Sequence, residues 1–103
     1  MTYQVALPSA AVPDGEIVPV SVVGRDILIC RTGSSVFAAD DRCPHAGARL
    51  SGGKLKADQI VCPLHGARFD LASGECRSKV QGFAAMKVHE TRERGGMIEV
   101  DLP

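Results

Sequence analysis

The chain has 103 residues, of which 45% are hydrophobic and 23% are charged, proportions that indicate a folded globular protein rather than a disordered one. A formal net charge of zero argues against a general nucleic-acid binder. The lack of tryptophan, with one tyrosine and three phenylalanines, argues against an enzyme with a large aromatic-lined pocket. This length suits one domain over residues 1–103.

Signals for export or membrane insertion are missing from the sequence. No run approaches the roughly 18 apolar residues that a membrane span needs, and the first residues, MTYQV, lack the basic start of a secretory signal. We therefore expect a cytoplasmic monomer with no membrane or nucleic-acid partner. Its four cysteines are then expected to be metal ligands or free thiols, because disulfides are rare in the cytosol.

Most of the chain has the patterning of β-strands. From residue 3 to residue 40, short runs rich in valine and isoleucine alternate with turn residues, and none keeps the apolar spacing of a helix. Near the C-terminus, strand patterning returns on both sides of an Arg-Gly-Gly turn at 94–96. Strands are predicted at residues 16–23, 26–31, 35–39, 85–91 and 97–102, with turns at 24–26 and 32–35.

Residues 41–79 differ in composition from the rest. They hold three of the four cysteines and two of the three histidines, together with five of the glycines. This segment is predicted to be mostly loop, with short strands at 59–62 and 67–70. We expect a β-sheet base, formed by residues 1–40 and 80–103, that carries this segment as an inserted lobe.

Two short motifs in the lobe each offer one thiolate and one imidazole. They are Cys-Pro-His at 43–45 and Cys-Pro-Leu-His at 62–65, and each is followed by a glycine that lets the backbone approach a bound centre. Two such turns facing each other would form a Cys2His2 site from Cys43, His45, Cys62 and His65. Zinc also accepts this ligand set, although zinc sites usually open with two cysteines two residues apart.

The two motifs, with their neighbours, resemble the cluster-binding boxes of Rieske proteins. CPHAGARL at 43–50 is similar to the first box and CPLHGARFD at 62–70 to the second. The resemblance implies one [2Fe–2S] cluster, with Cys43 and Cys62 on one iron and His45 and His65 on the other. It also implies a Rieske-like all-β fold: an antiparallel sandwich or partly closed barrel with the cluster at the tip of the inserted lobe.

Three positions depart from the respiratory and photosynthetic Rieske proteins. Ala48 and Leu64 stand where those proteins carry a disulfide that clamps the two loops, and Ala67 stands where they carry a serine hydroxyl donor. With fewer hydrogen bonds to the cluster, we expect a potential near the low end of the Rieske range, about −150 mV. This pattern resembles the ferredoxin components of multicomponent aromatic-ring-hydroxylating dioxygenases.

That resemblance implies a one-electron carrier rather than an enzyme. Its partners would be a flavin-dependent ferredoxin reductase and a terminal ring-hydroxylating oxygenase. The small Rieske subunit of assimilatory nitrite reductase, which is similar in size and motif, is the alternative function. A zinc-stapled binding module without a redox role is a third hypothesis.

The remaining candidate residues have simpler interpretations. Cys30 is predicted to be a buried hydrophobe, Cys76 a free thiol and His89 a packed or surface imidazole. The pair Asp40–Asp41 is interpreted as a strand-end turn rather than a metal site. The family's third, proline-containing loop corresponds here to residues 79–83, which contain no proline.

Charge is distributed unevenly along the chain. Residues 42–79 carry seven basic and three acidic side chains, whereas the rest carries five basic and nine acidic ones. We expect a basic collar around the cluster, which would steer docking onto acidic partner surfaces.

Overall fold

The structure, a computed structural model, describes residues 2–44, 47–64, 66–78 and 84–102. Within these ranges it contains ten strands and two 3-10 helices, Ser9–Ala11 and Leu50–Gly52. No helix in the described ranges is long and apolar enough to cross a membrane. The strands are β1 (Tyr3–Pro8), β2 (Ile17–Val22), β3 (Arg25–Thr32), β4 (Ser35–Asp40), β5 (Lys54–Lys56), β6 (Gln59–Val61), β7 (Arg68–Asp70), β8 (Val88–His89), β9 (Thr91–Arg94) and β10 (Met97–Asp101).

All described strand pairs are antiparallel, which confirms the predicted fold class. The strands form three sheets, in the orders β1-β10-β9, β2-β3-β4-β8 and β5-β6-β7. The first two sheets enclose one hydrophobic core, here called the lower core. Its buried residues are Leu7, Val12, Val22, Ile27, Ile29, Ala38, Ile98, Val100 and Leu102.

Strand β3 is buried on both faces because it lies between two cores. Ile27 and Ile29 point into the lower core, whereas Leu28 and Cys30 point into a second, upper core, as the two-residue period of a strand requires. The third sheet packs on that upper core. The buried residues of the upper core are Leu28, Cys30, Ala39, Cys43, Leu50, Ile60, Cys62, Ala67, Phe69, Leu71 and Met86.

Three details differ from the sequence predictions. Strand β3 begins at Arg25, because the turn is formed by Val23 and Gly24. Strands β1 and β5 were not among the predicted strands, and β5 contains a single apolar residue, Leu55. The strand predicted at 85–91 begins only at Val88 and is interrupted at Glu90, because β8 pairs with β4 whereas β9 pairs with β10 in another sheet.

Candidate metal centre

The first predicted motif forms a tight loop directly after strand β4. The Cys43 N–H donates to the carbonyl of Ala48 at 2.7 Å, and the Gly47 N–H donates to the carbonyl of Cys43 at 2.8 Å. Gly47 has φ of +70°, a left-handed conformation that glycine adopts without strain. These bonds link Cys43 to Gly47 and Ala48, and residues 43–48, of which 45 and 46 lie outside the described ranges, are here called the first cluster loop.

The second motif forms a loop with the same hydrogen bonds after strand β6. The Cys62 N–H donates to the carbonyl of Ala67 at 2.7 Å, and the Gly66 N–H donates to the carbonyl of Cys62 at 3.2 Å. Gly66 has φ of +71°, nearly the value of its counterpart in the first loop. Residues 62–67, here called the second cluster loop, therefore repeat the backbone bonding of the first, with the cysteine at the same place.

The two loops bring their cysteines together in the upper core. Cys43 is 0% exposed and Cys62 is 2% exposed, and the Cys62 thiol lies within hydrogen-bonding reach of the Cys43 thiol. Burial raises the pKa of the Cys62 thiol, a hydrogen bond from the Leu64 backbone lowers it, and the neighbouring Cys43 raises it. All four cysteines of the chain are free.

This pair of thiols fits a metal centre. Two buried thiolates side by side repel each other, and a bound cation is what removes that repulsion. Disulfide formation is the other way to use an adjacent pair, but the structure holds both cysteines as free thiols. Thiolates are soft ligands that suit zinc and iron–sulfur clusters.

Backbone N–H groups around residues 46–48 and 66–68 are predicted, from the resemblance to the family, to donate to the sulfur atoms of the centre. The N–H groups of Gly47 and Gly66 close their own loops, and that of Arg68 donates to the Ser78 hydroxyl at 2.8 Å. The Leu64 N–H reaches the sulfur of Cys62. The donors to a bound cluster stay a prediction.

The two predicted histidine ligands, His45 and His65, lie outside the described residues, as does the segment 79–83. Across the ranges that the structure does describe, no group of three or more His, Cys, Asp or Glu side chains is placed to hold a metal ion. The histidines therefore stay predicted ligands. Their described neighbours Pro44, Gly47, Leu64 and Gly66 are all exposed, so this end of the site reaches the surface.

Comparison with known proteins identifies the family. The sequence matches the family described as Rieske [2Fe-2S] domain over residues 2–89. The chain belongs to the Rieske [2Fe-2S] domain family. This match confirms the predicted cofactor, one [2Fe–2S] cluster, and favours an iron–sulfur centre over the zinc hypothesis.

The Rieske chain is similar to ferredoxins in both sequence and structure. It is 31% identical over 93 residues to the ferredoxin component of the naphthalene 1,2-dioxygenase system of Pseudomonas aeruginosa, covering 88% of this chain and 86% of that protein. It superposes on a Sphingomonas yanoikuyae B1 ferredoxin with a TM-score of 0.90 and 27% identity, covering 99% of this chain and 100% of that one.

A third match comes from the complex of reduced oxygenase and oxidised ferredoxin in carbazole 1,9a-dioxygenase. The Rieske chain superposes on a chain of that complex with a TM-score of 0.86 and 29% identity, covering 95% of this chain and 91% of that one. The named relatives are ferredoxins, so the prediction of an electron carrier rather than an enzyme is confirmed.

Other candidate residues of the Rieske chain behave largely as predicted. Cys30 is fully buried, and burial raises the pKa of its thiol to about 12. Cys76 is a half-buried free thiol, and its backbone pairs with that of Phe69 in an isolated antiparallel β-bridge. His89 is packed, with its Nε2 at 2.7 Å from Oδ1 of Asp40.

Sequence reasoning missed the role of one residue beside the site. Asp41 was expected only to end a strand, but its carboxylate is buried and hydrogen-bonded to Ser51. The spacing of an aspartate before the first motif and a serine after it was the only available signal. That signal is weak, because it does not show that the two residues meet.

Proposed function

We propose that this chain is the electron carrier of an aromatic-ring-hydroxylating dioxygenase system. It would act in the cytoplasm as a monomer, accept one electron from a flavin-dependent ferredoxin reductase and deliver it to a terminal oxygenase. The observation that carries this proposal is the placement of Cys43 and Cys62 side by side by two loops with the same backbone bonding. The dioxygenase assignment is supported by the names of the ferredoxin relatives.

The proposed cluster ligands are Cys43 and Cys62 on one iron and His45 and His65 on the other. When bound, the cluster takes up and releases one electron at a time. The thiol side of the site is shielded from water by the upper core, in which Leu50 and Phe69 are fully buried. This burial holds the cysteines rigidly and limits solvent access to the sulfur atoms.

Electrons would enter and leave at the exposed end of the loops. Pro44 and Pro63 are exposed there, and Leu64 is 52% exposed, one of three large hydrophobic side chains of the described part that face solvent. Exposed apolar side chains at one end of a site suit a transient protein contact. We infer that this end of the lobe meets both redox partners.

The predicted domain organisation is part of the proposal. Residues 1–103 would form a single Rieske domain, with a base of residues 1–40 and 80–103 and a cluster-binding lobe of residues 41–79. One shared core supports this view, because Leu28 and Ala39 from the base pack in the upper core with the lobe residues Leu50 and Phe69. Base and lobe are therefore expected to unfold together.

Ligand variants with a matched control test the cofactor site. Cys43→Ser and Cys62→Ser should lose the rhombic spin-half EPR signal that dithionite produces in a reduced [2Fe–2S] protein, together with most of the iron. Cys30→Ala changes a cysteine buried in the same core and should keep both. Full iron content and an unchanged signal in either ligand variant would refute the assignment.

A reconstitution assay tests the proposed role. The purified protein is combined with a flavin-dependent reductase and a ring-hydroxylating oxygenase, and hydroxylated product is measured with and without the carrier. Product formation that depends on the carrier supports the dioxygenase function. Electron transfer to a nitrite reductase, but to no oxygenase tested, would favour the alternative.

A further inference from the structure

Asp41 is the only charged residue that is buried in the described part of the chain. It follows strand β4 and precedes Cys43 by two positions. Its Oδ1 accepts a hydrogen bond from the Ser51 N–H at 2.8 Å, and its Oδ2 accepts one from the Ser51 hydroxyl at 2.6 Å. Arg49 Nη1 lies 3.5 Å from the same Oδ2.

These contacts explain why a carboxylate is tolerated in this position. A buried charge is costly unless hydrogen bonds and an opposite charge compensate it. Here the donors all come from residues 49–51, on the far side of the first cluster loop. The bonds between Asp41 and Ser51 therefore join the two ends of the segment that contains Cys43.

The Ser51 side of this junction also contacts the second cluster loop. Ser51 lies in the 3-10 helix Leu50–Gly52, and a β-carbon at Gly52 would be 3.7 Å from Cγ of Pro63. A β-carbon at Gly53 would be 1.8 Å from the carbonyl oxygen of Val61, so the backbones touch just before Cys62. Movement of Ser51 would consequently move one loop against the other.

We propose that Asp41 and Ser51 are positioning residues that set the first cluster loop against the second. This inference rests on the proposed function, because it concerns the loops that would hold the cluster. Ala48 and Leu64 stand where the resemblance places the disulfide clamp of other Rieske proteins. The pairing of Asp41 with Ser51, here called the carboxylate–serine bracket, joins the two ends of the first loop without a covalent bond, and the adjacent Gly52 and Gly53 pack against residues of the second.

Two variants and a matched control test the bracket. Ser51→Ala removes the hydroxyl donor and keeps the Asp41 carboxyl group, whereas Asp41→Asn replaces that carboxyl group with an amide. Asp26→Asn is the control, because Asp26 is the other partner of Arg49, at 3.3 Å, and is exposed. The three readouts on holoprotein are the EPR line shape, the rate of iron loss to a chelator and global unfolding by circular dichroism.

We expect Ser51→Ala and Asp41→Asn to broaden the EPR lines. Both variants should also lose iron about tenfold faster than wild type, because the loss of one buried hydrogen bond corresponds to a rate change of about that size. Asp26→Asn should retain the wild-type values. If Ser51→Ala and Asp41→Asn keep the wild-type line shape, and iron loss changes only as much as global unfolding does, the positioning role is wrong. Should Asp41→Asn fail to fold, Ser51→Ala decides the question by the same criteria.

The iron content and EPR signal of the wild-type protein distinguish a failure of the proposed function from a failure of the positioning role. An absence of iron and of the rhombic signal in wild type would contradict the proposed function itself. A normal wild-type signal, combined with bracket variants that match the control, would contradict only the positioning role.

Discussion

Gly74 lies so close to the main chain of Met86 that a β-carbon at residue 74 would be 2.0 Å from the Met86 carbonyl oxygen. The Met86 N–H donates to the Gly74 carbonyl at 2.7 Å, and Gly74 has φ of +80°. Met86 is buried in the upper core with both proposed cysteine ligands. The contact therefore joins the turn after strand β7 to the chain that returns toward strand β8.

Replacement of Gly74 by alanine should strongly destabilise the fold. The side chain would collide with the Met86 carbonyl and would also force alanine into a left-handed conformation, which together should cost about 3 kcal/mol in the free energy of unfolding. Gly95→Ala is the control, because Gly95 also has positive φ but has open space around it. Urea unfolding followed by circular dichroism should show a loss of only about 1–2 kcal/mol for the control. Equal losses in the two variants would show that the contact with Met86 is unimportant.

Replacement of Val23 by asparagine should stabilise the protein. Val23 and Gly24 form a two-residue hairpin turn, with φ of +51° and +74°, and Val23 is 71% exposed. A β-branched residue is strained in this conformation, whereas asparagine favours it, so we expect a gain of about 1 kcal/mol in the free energy of unfolding. Val5→Asn changes another exposed valine, in strand β1, and should give no gain. The prediction fails if the two variants have the same midpoint of urea unfolding.

The contribution of Asp70 to stability should depend on pH. Hydrogen bonds from the backbone of Ser73 and Ala72, together with Arg77 nearby, lower the pKa of the Asp70 carboxyl. A lowered pKa in the folded state means that the stabilisation is complete above the unfolded pKa of about 3.9 and disappears as pH falls through the folded value. Asp70→Asn should be less stable than wild type at pH 7, and the difference should shrink below pH 4.

Urea unfolding at several pH values checks this prediction. Glu75→Gln is the matched control, because it removes another carboxylate partner of Arg77 and leaves the backbone bonds to Asp70 intact. A difference between Asp70→Asn and wild type that stays constant from pH 7 to pH 3 would rule out the carboxylate bonds as the cause.

A hydroxyl at residue 67 should raise the reduction potential. Ala67 is buried in the second cluster loop and occupies the position of a serine donor in high-potential members of the family. One added hydrogen bond of about 1 kcal/mol to the reduced centre corresponds to an increase of about 40 mV for a one-electron couple. Redox titration of Ala67→Ser should show this increase. Ala72→Ser, in the exposed turn after strand β7, should keep the wild-type potential. A potential that is equal in both variants would contradict the reason given for expecting a low potential.

Loss of the Arg42 charge should slow electron transfer to the oxygenase. Arg42 is exposed beside the first cluster loop and makes no ion pair within the described ranges, whereas Arg77 pairs with Asp70 and Glu75. A free charge steers an acidic partner more effectively than a neutralised one. Arg42→Gln should lower the second-order rate constant several-fold at low salt, and Arg77→Gln should lower it less.

Stopped-flow measurements over a range of salt concentrations check this steering. The difference between Arg42→Gln and wild type should vanish at high salt, where charges are screened. Rates that stay constant or increase when salt is added to the wild-type protein would count against a basic collar.

Local features of the sequence were sufficient to predict the cofactor and the fold class. The two motifs contain their proposed ligands within three or four residues, so the cofactor could be predicted without knowing the fold. Alternation and turn residues likewise indicated β2, β3, β4 and β10, because strand periodicity is a property of neighbouring residues. The basic excess of residues 42–79 was also visible in the sequence alone.

Only the tertiary structure decided which distant residues meet. Cys30 lies in the same core as Cys43 and Cys62, which its position in strand β3 did not show by itself. Asp41 was interpreted only as part of a strand-end turn, whereas packing buries its carboxylate and pairs it with Ser51. Strand periodicity is local, whereas burial and hydrogen-bond partners depend on contacts between segments far apart in the chain.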